Sequence, residues 1–309
     1  IYPGQGAQKA GMGADFYENS EIARYIFDQA GEELDLDMKE LCFEENDRLD
    51  LTEYTQAAMV TTCLAMTRVA ESKGLKADIT AGLSLGEYPA IAAAGGMNDM
   101  DAIRLVRKRG ILMQNTVPAG EGAMCAVISM AAEEIEKVIE PIADVSVANY
   151  NCPGQIVITG KTDAVEEAAA KLKEAGARRT IMLNVSGPFH SQMLVPAGEK
   201  LAEELEHTRF HELRIPYVTN VTAEKVTDIR ETPGLLTTQI SSPVRWMQSM
   251  ERMIADGVDT FVEIGPGRTL EGFLRKINRN VKVFHISQWE DVDKVCEELV
   301  DGGNRMEES

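Results

Sequence analysis

A serine is a useful nucleophile only where the chain exposes its hydroxyl and sets a base beside it. Ser84 lies in Ala81-Gly82-Leu83-Ser84-Leu85-Gly86-Glu87, between a strand-like run at 78–81 and a run of helix formers at 88–94. A Gly-x-Ser-x-Gly in that setting is a nucleophile-elbow pattern: the turn is too tight for side chains two residues either side of the serine, and it pushes the hydroxyl outward. The helix opening at Leu85 points free backbone N–H groups at a reacting carbonyl. The same pattern also describes a plain glycine-flanked turn, and the strand before and helix after tip the balance towards a nucleophile. His190 stands in the loop Ser186-Gly187-Pro188-Phe189-His190-Ser191 just ahead of a helix; by position it is the candidate base, although a loop histidine is more often a plain surface residue. His207 and His211 flank a helix end, and His285 sits in a strand-like run. Arg109 belongs to the densest positive cluster of the chain, at 104–109. Arg104, Arg107 and Lys108 read as a solvated helix face, whereas Gly110 could open a path inward for Arg109.

The elements that must carry these residues follow from periodicity and punctuation. Ser20 caps a helix with Ile22, Tyr25 and Ile26 at helical spacing, and an acidic, low-order region follows from Glu32 to Asp50. A second helix is expected from Glu53 to Lys73, stopped by Gly74, with Gln56 polar inside an apolar stretch. Another runs from Asn98 to Asn115 with Ile103, Val106, Ile111 and Met113 towards the core, and a linker at 117–122 ends this part. From 123 to 185 the pattern becomes strand, helix, strand, strand, helix, strand, with Asn149–Gly154 as a turn-rich tip; this βαββαβ run has the ferredoxin-like signature. Helix and strand then alternate to a last strand at 281–286, and the acidic tail from Trp289 to Ser309 is expected to fray. The fold class expected is α/β: a large α/β-hydrolase-like domain with a parallel sheet (1–120 and 187–309) and a small inserted ferredoxin-like subdomain (121–186).

Bulk properties narrow the function classes. The chain has 309 residues, 44% hydrophobic and 26% charged, an ordinary balance for a soluble globular protein. A net charge of −19 with no basic-aromatic stretch argues against nucleic acid. No apolar run approaches the roughly 18 residues of a membrane span. The first residues lack the basic and apolar regions of a signal peptide, and Ile1–Gly4 reads as the end of a strand with a few residues expected before it. Five widely spaced cysteines show no zinc-type pattern, so no metal is expected, and reduced thiols suit a cytoplasmic location. The turn Pro3-Gly4-Gln5-Gly6-Ala7-Gln8 lacks the third glycine of a dinucleotide fingerprint, since Lys9 stands there; the turn at Gly265 fails likewise at Leu270. Taken alone, the segment at 3–8 is a strand-to-loop turn.

In order and spacing, these pieces resemble the malonyl-CoA:acyl carrier protein transacylase family over nearly the whole chain. The marks are Pro-Gly-Gln-Gly-Ala-Gln at 3–8, Gly-Leu-Ser-Leu-Gly-Glu at 82–87, and Arg-Gly-x-x-Met-Gln at 109–114. Asn-x-x-Gly-Gln from 151, Gly-Pro-Phe-His at 187–190, Ser-Pro-Val-x-Trp from 242 and Glu-Ile-Gly-Pro-Gly at 263–267 complete the set. The resemblance implies Ser84 as the acyl-carrying nucleophile and His190 as its general base and later acid, oriented by the backbone carbonyl of Gln239. It implies an oxyanion hole from the N–H groups of Gln5 and Leu85, Arg109 paired with the malonyl carboxylate, and Gln56, Met113 and Phe189 around the acyl group. Phe189 before His190 resembles the malonyl-selective form of the motif. Leu83 departs from the histidine common at that position, so a secondary role of that neighbour, such as touching the bound acyl group, is not carried over.

The implied reaction is ping-pong transfer from malonyl-CoA, through malonyl-Ser84, to the phosphopantetheine thiol of acyl carrier protein in fatty-acid synthesis, with no permanently bound cofactor. Arg268, Arg275, Lys276, Arg279 and Lys282 are the expected docking patch for the carrier protein, and a monomer is expected. Three alternatives stay open: a trans-acting acyltransferase of polyketide synthesis, a serine thioesterase or hydrolase, and a non-catalytic carrier-protein module. A hydrolase would release free malonate without a thiol acceptor, and a docking module would tolerate Ser84→Ala.

Overall fold

The computed structural model describes residues 1–301. A short helix α1 (Ala14–Asn19) leads to α2 (Glu21–Leu34), whose cap Ser20 accepts a hydrogen bond from the Ala23 N–H, as its sequence predicts. The acidic region that follows is more ordered than expected. Asp37 caps α3 (Met38–Phe43) by accepting from the N–H groups of Lys39 and Glu40, and Met38, Leu41 and Cys42 are buried. Acidic composition hid three apolar residues at helical spacing.

Helix α4 (Thr52–Ser72) is buried along nearly its whole length, which is why its sequence is apolar or threonine-rich all round. Strand β1 (Thr80–Ala81) enters a single 3-10 turn at Ser84–Gly86, and α5 (Glu87–Ala93) leaves it. Helix α6 (Asp99–Asn115) starts at the Asn98 cap and packs along α4. A Cβ on Gly110 would lie 2.8 Å from the Thr52 carbonyl oxygen. Gly110 lets α6 press against the start of α4; it opens no path inward.

Strands β2 (Gly122–Ile128), β3 (Val145–Cys152), β4 (Gln155–Lys161) and β5 (Arg179–Met182) form one antiparallel sheet in the order β3-β4-β2-β5, with α7 (Ala132–Ile139) and α8 (Thr162–Glu174) as its helices. Its apolar cluster, from Cys125 to Ala177, is separate from those of the rest of the chain. The expected turn at Asn149–Gly154 is smaller than predicted: β3 continues to Cys152. Asn149 bridges to Val244 in parallel there, with Tyr150 N donating to the Val244 carbonyl and Val244 N to that of Ala148. Pairing with a residue distant in sequence outweighs the turn preference of the Asn residues.

The remaining elements are α9 (Val195–Glu206), β6 (Tyr217–Val218), β7 (Lys225–Val226), α10 (Thr232–Gln239), α11 (Trp246–Ala255), β8 (Thr260–Ile264), α12 (Thr269–Ile277), β9 (Lys282–Ile286) and α13 (Trp289–Cys296). Strand β6 is only two residues long, and Val244, just ahead of α11, makes the bridge just described. Strand β6 pairs in parallel with β1, and β8 with β9. Residues Ile1 and Tyr2 join the two pairs. Tyr2 N donates to the Ala81 carbonyl, Leu83 N to that of Tyr2, and Ile264 N to that of Ile1. The start of the chain is therefore held directly beside the Ser84 turn. Residues 289–296, expected to fray, instead form a helix with a capping box at Gln288 and Asp291, and Trp289 meets Phe16 edge-on at 5.6 Å. The rest of the predicted tail, beyond residue 301, lies outside the described residues. Among the described residues no helix is long and apolar enough to cross a membrane, and no disulfide forms.

Candidate active site

The turn carrying Ser84 is built on contacts that leave no room for a Cβ. One on Gly82 would fall 1.8 Å from the Gly86 carbonyl oxygen, and one on Gly86 would fall 2.4 Å from that of Tyr2. Ser84 itself has φ of 54°, a left-handed conformation that costs energy for a residue with a side chain. Asn220 holds the strained turn from behind. Its Oδ1 accepts from Ser84 N at 2.7 Å and its Nδ2 donates to the Gly82 carbonyl at 2.7 Å.

His190 has φ of 59° and is 3% exposed. Its Nδ1 lies 2.9 Å from the Gln239 carbonyl oxygen and 3.1 Å from that of Ser242. Carbonyls only accept, so Nδ1 carries the proton and the Nε2 lone pair faces Ser84 Oγ at 2.8 Å. Burial, with the Arg109 charge acting in the same sense, lowers the His190 pKa to about 4, so the ring is neutral near pH 7. A neutral imidazole with a free Nε2 can accept the serine proton.

Arg109 is fully buried. Its Nη1 donates to Gln56 Oε1 at 2.8 Å, and its Nη2 to Ser84 Oγ at 3.0 Å and to Gln239 Oε1 at 3.1 Å. Among the described residues its buried Nε has no hydrogen-bond partner, and the guanidinium lies 5.7 Å from the Tyr88 ring centroid. Burial lowers the Arg109 pKa. All its hydrogen-bond partners are neutral, a costly state for a buried cation and one suited to receiving a carboxylate. Gln56, expected to line the acyl group, also donates to Met113 Sδ at 3.3 Å and so links Met113 to Arg109 through one amide. Gln5 belongs to the loop that follows Tyr2, and its side chain donates to Thr52 Oγ1, which meets Ser186 Oγ at 2.8 Å. Leu85 and Phe189 are buried, the first within the 3-10 turn and the second next to His190.

Sequence reading missed Asn220, Glu87, Ser242 and the side chain of Gln239. Glu87 closes the Gly-Leu-Ser-Leu-Gly-Glu motif, so its position was visible while its partners were not. Arg107, read as solvated, is half-buried: it pairs with Glu53 at 3.1 Å and lies over the Tyr54 ring. The five cations from Arg268 to Lys282 are all exposed, and Arg275 is tied to Glu271. Among the described residues no cluster of His, Cys, Asp or Glu could hold a metal ion.

A serine activated by a neutral histidine, beside a buried guanidinium, is equipped for acyl transfer. The acyl transferase domain family matches residues 1–289, and the chain belongs to that family; the protein is an acyltransferase. It is 43% identical over 304 residues to the malonyl CoA-acyl carrier protein transacylase of Bacillus subtilis, covering 97% of this chain and 96% of that one. The crystal structure of the malonyl CoA-acyl carrier protein transacylase from Clostridium perfringens superposes with a TM-score of 0.94 at 42% identity, over 99% of this chain and 98% of that one. A malonyl-transacylase solved in complex with its type II PKS acyl-carrier protein superposes with a TM-score of 0.93 at 37% identity, over 96% and 98%.

Proposed function

We propose that the protein transfers a malonyl group from malonyl-CoA to the phosphopantetheine thiol of acyl carrier protein by way of a malonyl-Ser84 ester. The observation that carries this is the Arg109 guanidinium, buried among neutral partners and 3.0 Å from Ser84 Oγ. In the first half-reaction Ser84 Oγ attacks the thioester carbonyl as His190 Nε2 takes its proton. The carbon–sulfur bond breaks, and the thiolate leaves with the proton from His190. The second half-reaction reverses these roles, with the carrier thiol as nucleophile. General-base catalysis of this kind contributes ~10²- to 10⁴-fold.

The N–H groups of Gln5 and Leu85 are assigned to the oxyanion, each donor worth about 2.7–4 kcal/mol. Contact of the Tyr2 and Pro3 carbonyls with Gly86 supports Gln5 in this role. The guanidinium fork takes the malonyl carboxylate through two parallel charge-assisted bonds, with Gln56, Met113 and Phe189 around it.

The large part of the chain is taken as hydrolase-like (1–120 and 187–309) and the sheet β3-β4-β2-β5 as an inserted ferredoxin-like subdomain (121–186). The separate apolar cluster of that unit supports this division. The absence of disulfides among the described residues suits a cytoplasmic setting. Carrier protein is assigned to the exposed cations Arg268, Arg275, Lys276, Arg279 and Lys282. Neutralising them should raise the Michaelis constant for carrier protein and spare that for malonyl-CoA; equal effects would reject the patch.

The deciding experiment is intact-mass analysis after brief mixing with malonyl-CoA. Wild type should gain one malonyl adduct and Ser84→Ala none. An adduct on Ser84→Ala would refute the mechanism, and free malonate released at the same rate without carrier protein would favour a hydrolase.

A further inference from the structure

A buried guanidinium without a carboxylate partner needs its charge answered elsewhere, and here the answer comes through one amide. Gln239 Oε1 accepts from Arg109 Nη2 at 3.1 Å, while Nε2 of the same amide donates to Glu87 Oε2 at 2.7 Å. Glu87 Oε2 also accepts from Asn220 N at 3.1 Å, and Asn220 holds the Ser84 turn. Arg109 and Glu87 are both 0% exposed, so little water screens them from each other.

We propose that Glu87 is a positioning residue that fixes the Gln239 amide so its oxygen meets Arg109, and that the charge on Glu87 sets how strongly the site prefers a carboxylated acyl group over a neutral one. This rests on the malonyl-transfer reading given above.

An ionised Glu87 offsets Arg109, and an incoming malonyl carboxylate then meets a like charge one amide away. A protonated Glu87 leaves a net positive site that the malonyl group neutralises. Acetyl, without a carboxylate, is indifferent to either state. Four titratable or charged groups surround Glu87: Arg109 from α6, Tyr88 on its own helix, Tyr217 from β6 and, beyond Gln239, His190. Burial raises both phenols above their ordinary range, so they stay neutral, and His190 is neutral above about pH 4. Burial also pushes the Glu87 carboxyl up to about 7, against its bonds from Asn220 and Gln239 and the charge of Arg109. Its protonation therefore changes in the neutral range, and a malonyl group on Arg109 favours the protonated form, with the proton taken from solvent.

The test is the rate of Ser84 acylation from malonyl-CoA and from acetyl-CoA between about pH 5.5 and 8.5, a range spanning the Glu87 titration, for wild type and Glu87→Gln. Taking the ratio cancels whatever the shared CoA portion contributes. In wild type the malonyl-to-acetyl ratio should fall about tenfold from pH 6 to 8.5, and in Glu87→Gln it should stay level near the wild-type value at pH 6. A level wild-type ratio overturns the proposal whether or not the variant folds, and so does a variant ratio that falls like that of wild type. Failure of malonyl-CoA to label wild-type Ser84 at all would overturn the underlying function instead.

Discussion

Two buried or half-buried arginines of the large part of the chain serve opposite ends. Arg68, on α4, is answered by two carboxylates, Asp99 at 2.6 Å and Glu71 at 2.6 Å, and these partners hold its pKa above the ordinary value. Arg109, on α6, meets only amides and a serine, and burial moves its pKa the other way. The first charge is satisfied within the fold and staples α4 to the start of α6. The second is bonded to no carboxylate among the described residues and faces the nucleophile. Charge count and helix location do not distinguish them; the chemistry of their neighbours does.

Removing the charge of Arg109 should have the largest effect. Arg109→Ala should slow malonyl loading of Ser84 by about 10²- to 10³-fold, the loss of two bonds to a charged group, while acetyl loading changes much less. Equal losses would mean that Arg109 serves only the serine. Giving Arg109 a carboxylate should make it resemble Arg68. Gln56→Glu should reduce malonyl loading by about tenfold through competition for the guanidinium, again sparing acetyl, and an unchanged malonyl-to-acetyl ratio would reject this account.

The pH response of the base comes next. With acetyl-CoA as donor, acylation should hold level from pH 8 to 5 and fall only near His190's lowered pKa of about 4. A fall centred near 6.5 would contradict the burial of the ring. The same shift makes the folded chain less stable as pH falls from 6.5 through about 4, because the unfolded chain takes up that proton first. The smallest effect on chemistry belongs to Arg68→Ala. It should lower stability by about 2 kcal/mol, read as a fall in Tm, and leave the malonyl-to-acetyl ratio unchanged. A shifted ratio would show that the two arginines are coupled.

Local rules made much of this protein legible without coordinates. Ser84 was readable because an elbow demands glycine at 82 and 86, and the same crowding is found around both. The Ser20 cap, the helix opening at Asn98, the stop at Gly74 and the strand-helix order of 123–182 were equally local, and each lies close to where the sequence placed it. The family resemblance implied the carbonyl of Gln239 as the partner of His190, and His190 Nδ1 lies 2.9 Å from it.

Other features depended on residues distant in sequence. Ser242 as a second acceptor for His190, Asn220 behind the Ser84 turn and the relay from Arg109 through Gln239 to Glu87 join residues 52 to 152 positions apart. A side chain's type states which bonds it can make, and only packing decides which partner is within 3 Å. The same holds for Arg68 and Arg109: sequence makes both cations, and tertiary structure alone leaves one of them without a carboxylate.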